Sequence, residues 1–526
     1  MIGIYTTDVK HFCIINNEYG VYEDSDYILT VYGSVNLQSG KADYSQIKEL
    51  YVKVKDKIVD FLEGMYYLII YDKNKKQVSV YQDYYNSGEV LYIMECAGRI
   101  GISNSLKELI FELDEDVTVN KKSKLYFLNQ GFVPGKETLL QQVQKLKPFC
   151  KLVIDGDRVE QQHIQYTFSI PSQQEGKEEW GRMLDRAIEE NISDLDEYCI
   201  PISSGFDSNY ILSYLNKNTN KEIDMFTIGG FDGVDESGVV RNNLKYYDRK
   251  RNMLTTTYTT PKTLGMLGDI VWRLDGAVYE KGIFLQYELA SAIAAGRYKH
   301  IVCGEGADQI MHIDYNLKGE EYDDFFLRGK INRHPYVFSS SIIMKKSAIM
   351  MRSFGIEGRY PYMNQRFAQT AFALRNINGK DKTFHKSYCA EYLPQGIVRN
   401  TQKVGGTTSL HSLFNDKDEI KEFLAYIESS KLFNKYQPII NSKHNNDEIS
   451  REKIGSIKND FIPKVIAKLK TDKLAAFTPQ YRAEERRLDR AVRYAYMMAF
   501  ENIFISPECR SEIKTGVKGS NIYKLL

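Results

Sequence analysis

Short runs of β-branched and aromatic residues, broken by polar turns, dominate the first 170 positions. Residues 27–35 (YILTVYGSV), 65–71 (MYYLIIY), 77–81 (QVSVY) and 90–94 (VLYIM) predict strands, and polar stretches such as 72–76 (DKNKK) separate them. This half reads as a layered sheet domain. Over 169–179 (SIPSQQEGKEE) hydrophobicity falls while Pro, Ser, Gly and charge collect, which predicts an interdomain linker with a boundary near 172. Beyond it the period changes. Residues 198–202 predict a strand, 210–215 (YILSYL) a buried helix face, and 223–228 and 300–303 further strands. Between the last two, 283–295 carries Leu285, Leu289 and Ala292 at helical spacing. Strands alternating with helices imply a parallel sheet covered on both faces. From about 430 the chain reads as charged and helical, with the basic runs at 468–473 and 482–493 expected on solvated faces. No internal repeat or low-complexity tract occurs.

At 526 residues the chain holds two to four compact units of ordinary size. Hydrophobic residues at 43%, charged residues at 26% and only 12 prolines place it among globular proteins. Seventy basic against 69 acidic side chains leave a net charge of +1, too little for the broad cationic field of a general nucleic-acid binder. The seven cysteines (13, 96, 150, 199, 303, 389 and 509) are far apart without metal-ligand spacing, so reduced and mostly buried thiols are expected. No cationic leader or run of about eighteen apolar residues is present, and a cytoplasmic protein without a membrane span is the expectation. Thirty-eight tyrosines select no function, since Tyr serves strands, pockets and interfaces alike.

Chemistry concentrates in two segments. Ser203-Ser204-Gly205-Phe206-Asp207-Ser208 falls where a strand ends and a helix begins, so backbone N–H groups and the positive end of the helix dipole suit a phosphate. Gly205 allows close backbone approach, and Ser203 and Ser208 offer hydroxyls. Asp207 is repulsive to phosphate unless a cation lies between them, which marks it as a magnesium ligand. A hundred residues on, Gly304-Glu305-Gly306-Ala307-Asp308 again follows a strand, at the carboxyl edge where open α/β sheets collect ligands. Asp308 and Asp207 then share the cation, with Glu305 next to the reacting centre. Taken singly, each segment is also compatible with a capped helix or a glycine turn.

In order, these segments resemble the asparagine synthetase family, whose ATP pyrophosphatase domain carries S-G-G-x-D-S followed by G-E-G-x-D-E. Residues 355–364 (GIEGRYPYMN) resemble its G-x-E-x-R-x-P-F-L-D stretch. Residues 393–403 (LPQGIVRNTQK) resemble its L-P-x-x-I-x-x-R-x-K segment, whose lysine contacts phosphates; that role carries over onto Lys403. In the first half, 61–72 resembles the family's F-x-G-x-F-A-x-x-x-x-D strand and 131–139 its G-Y-x-P-x-x-x-T-L turn. The departures are Ser204 for a glycine, Gln309 for an acid and Asn364 for an aspartate. Asn364 puts the substrate-side network in doubt.

The resemblance implies two domains. Residues 1–172 form a degenerate glutamine-amidotransferase-like, Ntn-hydrolase-like β-sandwich. Residues 173–526 form a doubly wound parallel-sheet ATP pyrophosphatase domain with a helical tail. Glutamine-hydrolysing members attack with an N-terminal cysteine whose α-amine acts as base. Here that position is Ile2, Cys13 lies too far inside, and Gln82 replaces the arginine ahead of Asp83, so amidase activity is expected to be absent. The resemblance further implies ATP and Mg²⁺ as cofactors, with Ser203, Ser204, Gly205, Asp207, Ser208 and Gly304 on the nucleotide and Asp207 and Asp308 on the metal. Glu305 and Lys403 are the implied catalytic residues. The implied partners are a carboxylate, from a peptide or a metabolite, and an amine. Glutaminase-deficient relatives that close lasso peptides or β-lactam rings supply the leading expectation, a lasso-type macrocyclase working with a precursor peptide and its leader-binding or protease partner. An ammonia-dependent amide synthetase and a non-catalytic scaffold stay open. A membrane partner is not expected, and the neutral charge argues against nucleic acid.

Overall fold

The computed structural model describes most of residues 2–399 and 479–505. Residues 312–339, 400–478 and 506–526 and several shorter stretches, among them 230–235, 248–253 and 259–265, lie outside the described residues.

The first half is built from two antiparallel sheets. One runs, in spatial order, Val143–Lys145, Tyr92–Cys96, Arg99–Ser103, Ile2–Thr6 and His11–Ile15. The other centres on the long pair Tyr27–Leu37 and Leu62–Asp72, in register from Tyr27 opposite Asp72 to Leu37 opposite Leu62. Alternation puts Tyr67, Ile69 and Tyr71 on the inner face, packed with Tyr5, Phe12, Ile100 and Ile102 of the facing sheet. Residues 66, 68 and 70 point outward against Ile47 and Tyr51 of the helix Tyr44–Val54. The strands expected at 27–35, 65–71 and 77–81 are present and longer at one or both ends; the one at 90–94 begins two residues later.

The second half is a five-stranded parallel sheet. Its order is Leu254–Tyr258, Asp224–Gly229, Cys199–Pro201, His300–Val302, Glu357–Arg359. Chain order reverses between Cys199–Pro201 and His300–Val302, and ligand crevices of doubly wound sheets open at such a switch point. Helices cover both faces. Ile200, Met225 and Val302 face a core with Trp180, Leu184 and Phe367, whereas Cys199, Phe226 and Ile301 face one with Ile283, Ala290 and Ile293. The helix read at 283–295 is observed as Ile283–Ala295.

One local expectation is corrected. The low-hydrophobicity stretch at 169–179 is helical from Gln173, because Ser172 and Glu175 form a reciprocal capping box that starts the helix Gln173–Ile192. The basic run ending at Arg493 lies in the helix Pro479–Phe504, and residues that follow it there, including Tyr496, Phe500 and Ile503, are buried in the core. Lys124 of the first half meets Glu501 of this helix at 3.3 Å, both buried. The basic run at 468–473 lies outside the described residues. Six cysteines are free, four of them buried; Cys509 lies outside the described residues. Among the described residues no helix is long and apolar enough to cross a membrane.

The two halves meet along the helix Lys345–Ser353. Lys345 is buried and donates to the Glu89 carbonyl at 2.6 Å, an oxygen that also accepts from the Tyr67 hydroxyl at 2.7 Å. Two turns on, Arg352 pairs with Glu89 Oε1 at 3.1 Å and lies 4.0 Å over the Tyr32 ring. Burial pushes the Lys345 ammonium down to about 7. Unfolded, it titrates near 10.5, so at and below pH 7 the folded state carries the cost of a buried charge, and stability rises with pH between those values. Lys345→Met is expected to stabilise the protein at pH 7 by about 2 kcal/mol and to flatten that slope, because Tyr67 still satisfies the carbonyl. Denaturant titrations at pH 7 and pH 9 check this; a destabilised variant with an unchanged slope contradicts it.

Candidate functional site

The loop after Cys199–Pro201 and the loop after His300–Val302 lie side by side at the switch point. A Cβ on Gly304 would stand 2.9 Å from the Ser208 nitrogen and 3.1 Å from its Cα, so the two backbones touch where only glycine fits. In the first loop Gly205 is the N-cap of the helix Phe206–Asn218, with no side chain capping it. Gly205 does not use left-handed freedom: its φ of −75° and ψ of 160° are open to any residue, and the loop gains from it an uncovered helix terminus. The Ser203 and Ser208 hydroxyls are 3.1 Å apart, and the Ser203 N–H donates to Ser208 Oγ at 3.1 Å. Ser204, the departure from glycine, donates both its N–H and its hydroxyl to Glu236 Oε1 at 2.8 Å. Asn209 braces the turn from within, donating to the Ser203 and Gly205 carbonyls.

Asp207 and Asp308 converge. Lys382 Nζ lies 2.6 Å from Asp207 Oδ2 and 2.6 Å from Asp308 Oδ1, and the lysine is buried. The other Asp207 oxygen, Oδ1, is 2.9 Å from His385 Nε2, and the Tyr362 hydroxyl donates to the Asp207 carbonyl at 3.1 Å. Burial alone would raise the Asp207 carboxyl, but Lys382 and then His385 overturn that and hold it far below the usual carboxylate range. Burial alone would lower the Lys382 ammonium, and the two carboxylates raise it instead. Sequence reasoning missed Lys382 and His385 because their partner Asp207 is more than 170 residues away. The signal present was a Lys, His and Cys at 382, 385 and 389, spaced to share one face of the helix Thr383–Tyr392.

Two acids focused on one cation locus, beside an uncapped helix terminus, suit magnesium carried by a nucleotide. Magnesium takes one or two carboxylates and completes its shell with water and phosphate oxygens. Among the described residues no group of three or more His, Cys, Asp or Glu could hold a metal unaided. The ammonium of Lys382 shows that a positive charge is accommodated between these two carboxylates.

Glu305 stands on the other side of the same loop, its N–H donating to Cys303 Sγ at 3.4 Å. Burial raises its carboxyl, while Lys346 beside it and a hydrogen bond with Ser347 pull the other way. Lys346 is 3.2 Å from Glu280 Oε2. Gln309 closes the loop by accepting the Gly306 N–H at 2.9 Å, which an amide does as well as an acid. Asn364, the departure from an aspartate, has local structural partners. Its Oδ1 caps the helix Gln365–Ala373 by accepting the N–H groups of Arg366 and Phe367, and its amide donates to Glu190. Arg359 pairs with Asp194 and Glu357 at 3.1 Å. Lys403 lies outside the described residues. Cys389, His385 and Asp207 have the order of a thiol triad, but Cys389 is fully buried and burial pushes its thiol far up, so it is no nucleophile.

In the first half, Ile2 opens the strand Ile2–Thr6 and is buried. Gln82 is fully buried and donates to the carbonyls of Lys147 and Cys150, the latter at 2.7 Å, so its amide ties two segments together.

An antiparallel sandwich joined to a doubly wound sheet with an acid-bearing phosphate loop at its switch point defines the class: an amidotransferase-type domain coupled to an ATP pyrophosphatase-type domain. Comparison with known families agrees. Residues 179–321 and 338–456 match asparagine synthase, residues 33–166 match a glutamine amidotransferase domain, and the chain belongs to the asparagine synthetase family. No curated protein matches it. Solved structures similar to it include glutamine phosphoribosylpyrophosphate amidotransferase from B. subtilis complexed with ADP and GMP, and the allosteric regulatory enzyme of purine biosynthesis. Each is 9% identical with a TM-score of 0.21, over 41% and 49% of this chain respectively. The chain covers 65% of the length of each of those two chains.

Proposed function

We propose that this chain is an ATP-dependent carbon–nitrogen ligase that adenylates a carboxylate, with release of pyrophosphate, and passes the acyl group to an amine with release of AMP. The observation that carries it is the convergence of Asp207 and Asp308 on one cation locus beside the Ser203–Ser208 loop. Asp207 and Asp308 would hold magnesium there, and that ion would supply positive charge against the phosphates of the nucleotide. The N–H groups at the helix start and the Ser203, Ser204 and Ser208 hydroxyls hold phosphate oxygens once Glu236 yields Ser204. Lys382, displaced from the carboxylates, and Lys403 supply further positive charge. Glu305 takes a proton from the incoming nitrogen, and its raised carboxyl is better matched to that task at neutral pH than an ordinary glutamate.

The amine comes from a source other than glutamine. Ile2 offers no nucleophile, the strand Ile2–Thr6 carries no thiol, and Gln82 is spent on main-chain carbonyls. The preferred acceptor is an amine on the peptide that bears the acid, as in lasso-type cyclisation; ammonia or a small metabolite amine is the competing arm. The test is ATP–pyrophosphate exchange across candidate acids, with mass spectrometry for AMP and condensed product in the presence of peptides or ammonium. No exchange with any acid removes the proposal, and product with ammonium alone moves the assignment to the second arm.

Glu305→Gln separates the half-reactions. It is expected to retain acid-dependent exchange while amide formation falls by about 100-fold or more. Equal loss of both steps would assign Glu305 a structural role in its loop.

A further inference from the structure

His385 does something for Asp207 that the ligase reading does not require of it. Its ring is fully buried, 5.7 Å from the Trp180 ring and 5.6 Å from the Tyr362 ring, the latter edge-on at 87°. Its N–H on the main chain donates to Asn378 Oδ1 at 2.9 Å, and Cys389 Sγ lies 3.7 Å from Nδ1 and 3.5 Å from Nε2. So clamped, the ring aims Nε2 at Asp207 Oδ1, while Lys382 takes Oδ2 and Tyr362 holds the carbonyl of the same residue.

We infer that His385 is a positioning residue that anchors Asp207 Oδ1 and thereby turns Oδ2 toward Asp308, so that only one oxygen of Asp207 is offered to the cation. This rests on the reading of Asp207 and Asp308 as the carboxylates that hold the magnesium of ATP. The argument is one of satisfied valences. A carboxylate with one oxygen already bonded to a fixed donor cannot rotate about its last bond without leaving a buried polar atom unpaired. Partners that orient a metal-binding group in this way typically change metal affinity by about 10–100-fold when removed. An apolar residue at 385 would leave Oδ1 without this donor and let the carboxylate swing wholly onto Lys382, the ammonium that magnesium must displace.

The experiment uses the full chain with His385→Leu, which removes the donor, and His385→Gln, whose Nε2 reaches nearly the place of the imidazole Nε2. Melting temperature is followed while magnesium is titrated at fixed ATP, and ATP–pyrophosphate exchange is read over the same range. The leucine variant is expected to need about 10–100-fold more magnesium for half of the melting shift, with its exchange at saturating magnesium recovering toward wild type. The glutamine variant is expected within about threefold of wild type. A folded leucine variant with the wild-type magnesium requirement overturns the inference, as does a glutamine variant as impaired as leucine, since that would be a packing effect. Should leucine not fold, His385→Asn, whose amide falls short of Oδ1, replaces it. Equal magnesium requirements for Asn and Gln then overturn the inference. A wild-type protein without any magnesium-dependent response to ATP removes the ligase reading itself, which separates the two failures.

Discussion

Lys382→Met is expected to lower ATP–pyrophosphate exchange by about a thousand-fold or more and, without magnesium, to destabilise the protein by about 3–5 kcal/mol. The lysine is buried with two carboxylate oxygens 2.6 Å away, and a thioether in its place leaves Asp207 and Asp308 facing each other with no charge between. The pH dependence has a defined sign. In the native protein Lys382 and His385 hold Asp207 far below its ordinary value, so its contribution to stability is present above the unfolded pKa of about 3.9 and fades as pH falls. Without the lysine one proton is better retained by the acid pair, and the destabilisation should be larger at pH 8 than at pH 5. Added magnesium should recover part of the stability. Denaturant titrations at both pH values, with and without magnesium, check each part; an unaltered acid limb together with wild-type exchange would dissolve the cation locus.

Gly304→Ala should be nearly as damaging to turnover, for a steric reason. The added methyl would sit 2.9 Å from the Ser208 nitrogen, 3.1 Å from its Cα and 3.2 Å from the Asp207 carbonyl carbon, all backbone atoms that no rotamer change can clear. The two loops must part, at a cost of about 1–3 kcal/mol, and parting them separates Asp207 from Asp308. Exchange is expected to fall at least about 100-fold, since small misplacements of binding groups have effects of that size. An alanine variant with native exchange would show that the contact between the loops has no part in the chemistry.

Much of the fold was readable along the chain. The alternation at 27–35 and 65–71 identified the two longest strands, and the apolar spacing at 283–295 matched its helix end to end. The capping box at Ser172 and Glu175 was also there to be read, but the polar composition around it suggested a linker, and local hydrogen bonding won over composition. The helix Pro479–Phe504 carries its charge first, over Arg482–Arg493, and its apolar residues from Ala495 on are the ones that enter the core.

Of the candidate site, both loops and the acids Asp207 and Asp308 that converge were legible because each motif is local, a few residues whose types carry their own chemistry. Lys382, His385 and Glu236 were not, since each matters only through a residue far away in sequence. The bond from Asn364 to Glu190 is of the same long-range kind.

The amino-acid order alone determined two domains of different period, a phosphate-type loop and a second acid-bearing loop, because periodicity and short motifs act over a few neighbouring residues. Only the tertiary structure decided that the loops touch, that a buried lysine spans their acids and that a histidine anchors one of them. Those facts depend on Cys199–Pro201 and His300–Val302 lying side by side, and strand order is set by packing between distant segments rather than by any local pattern.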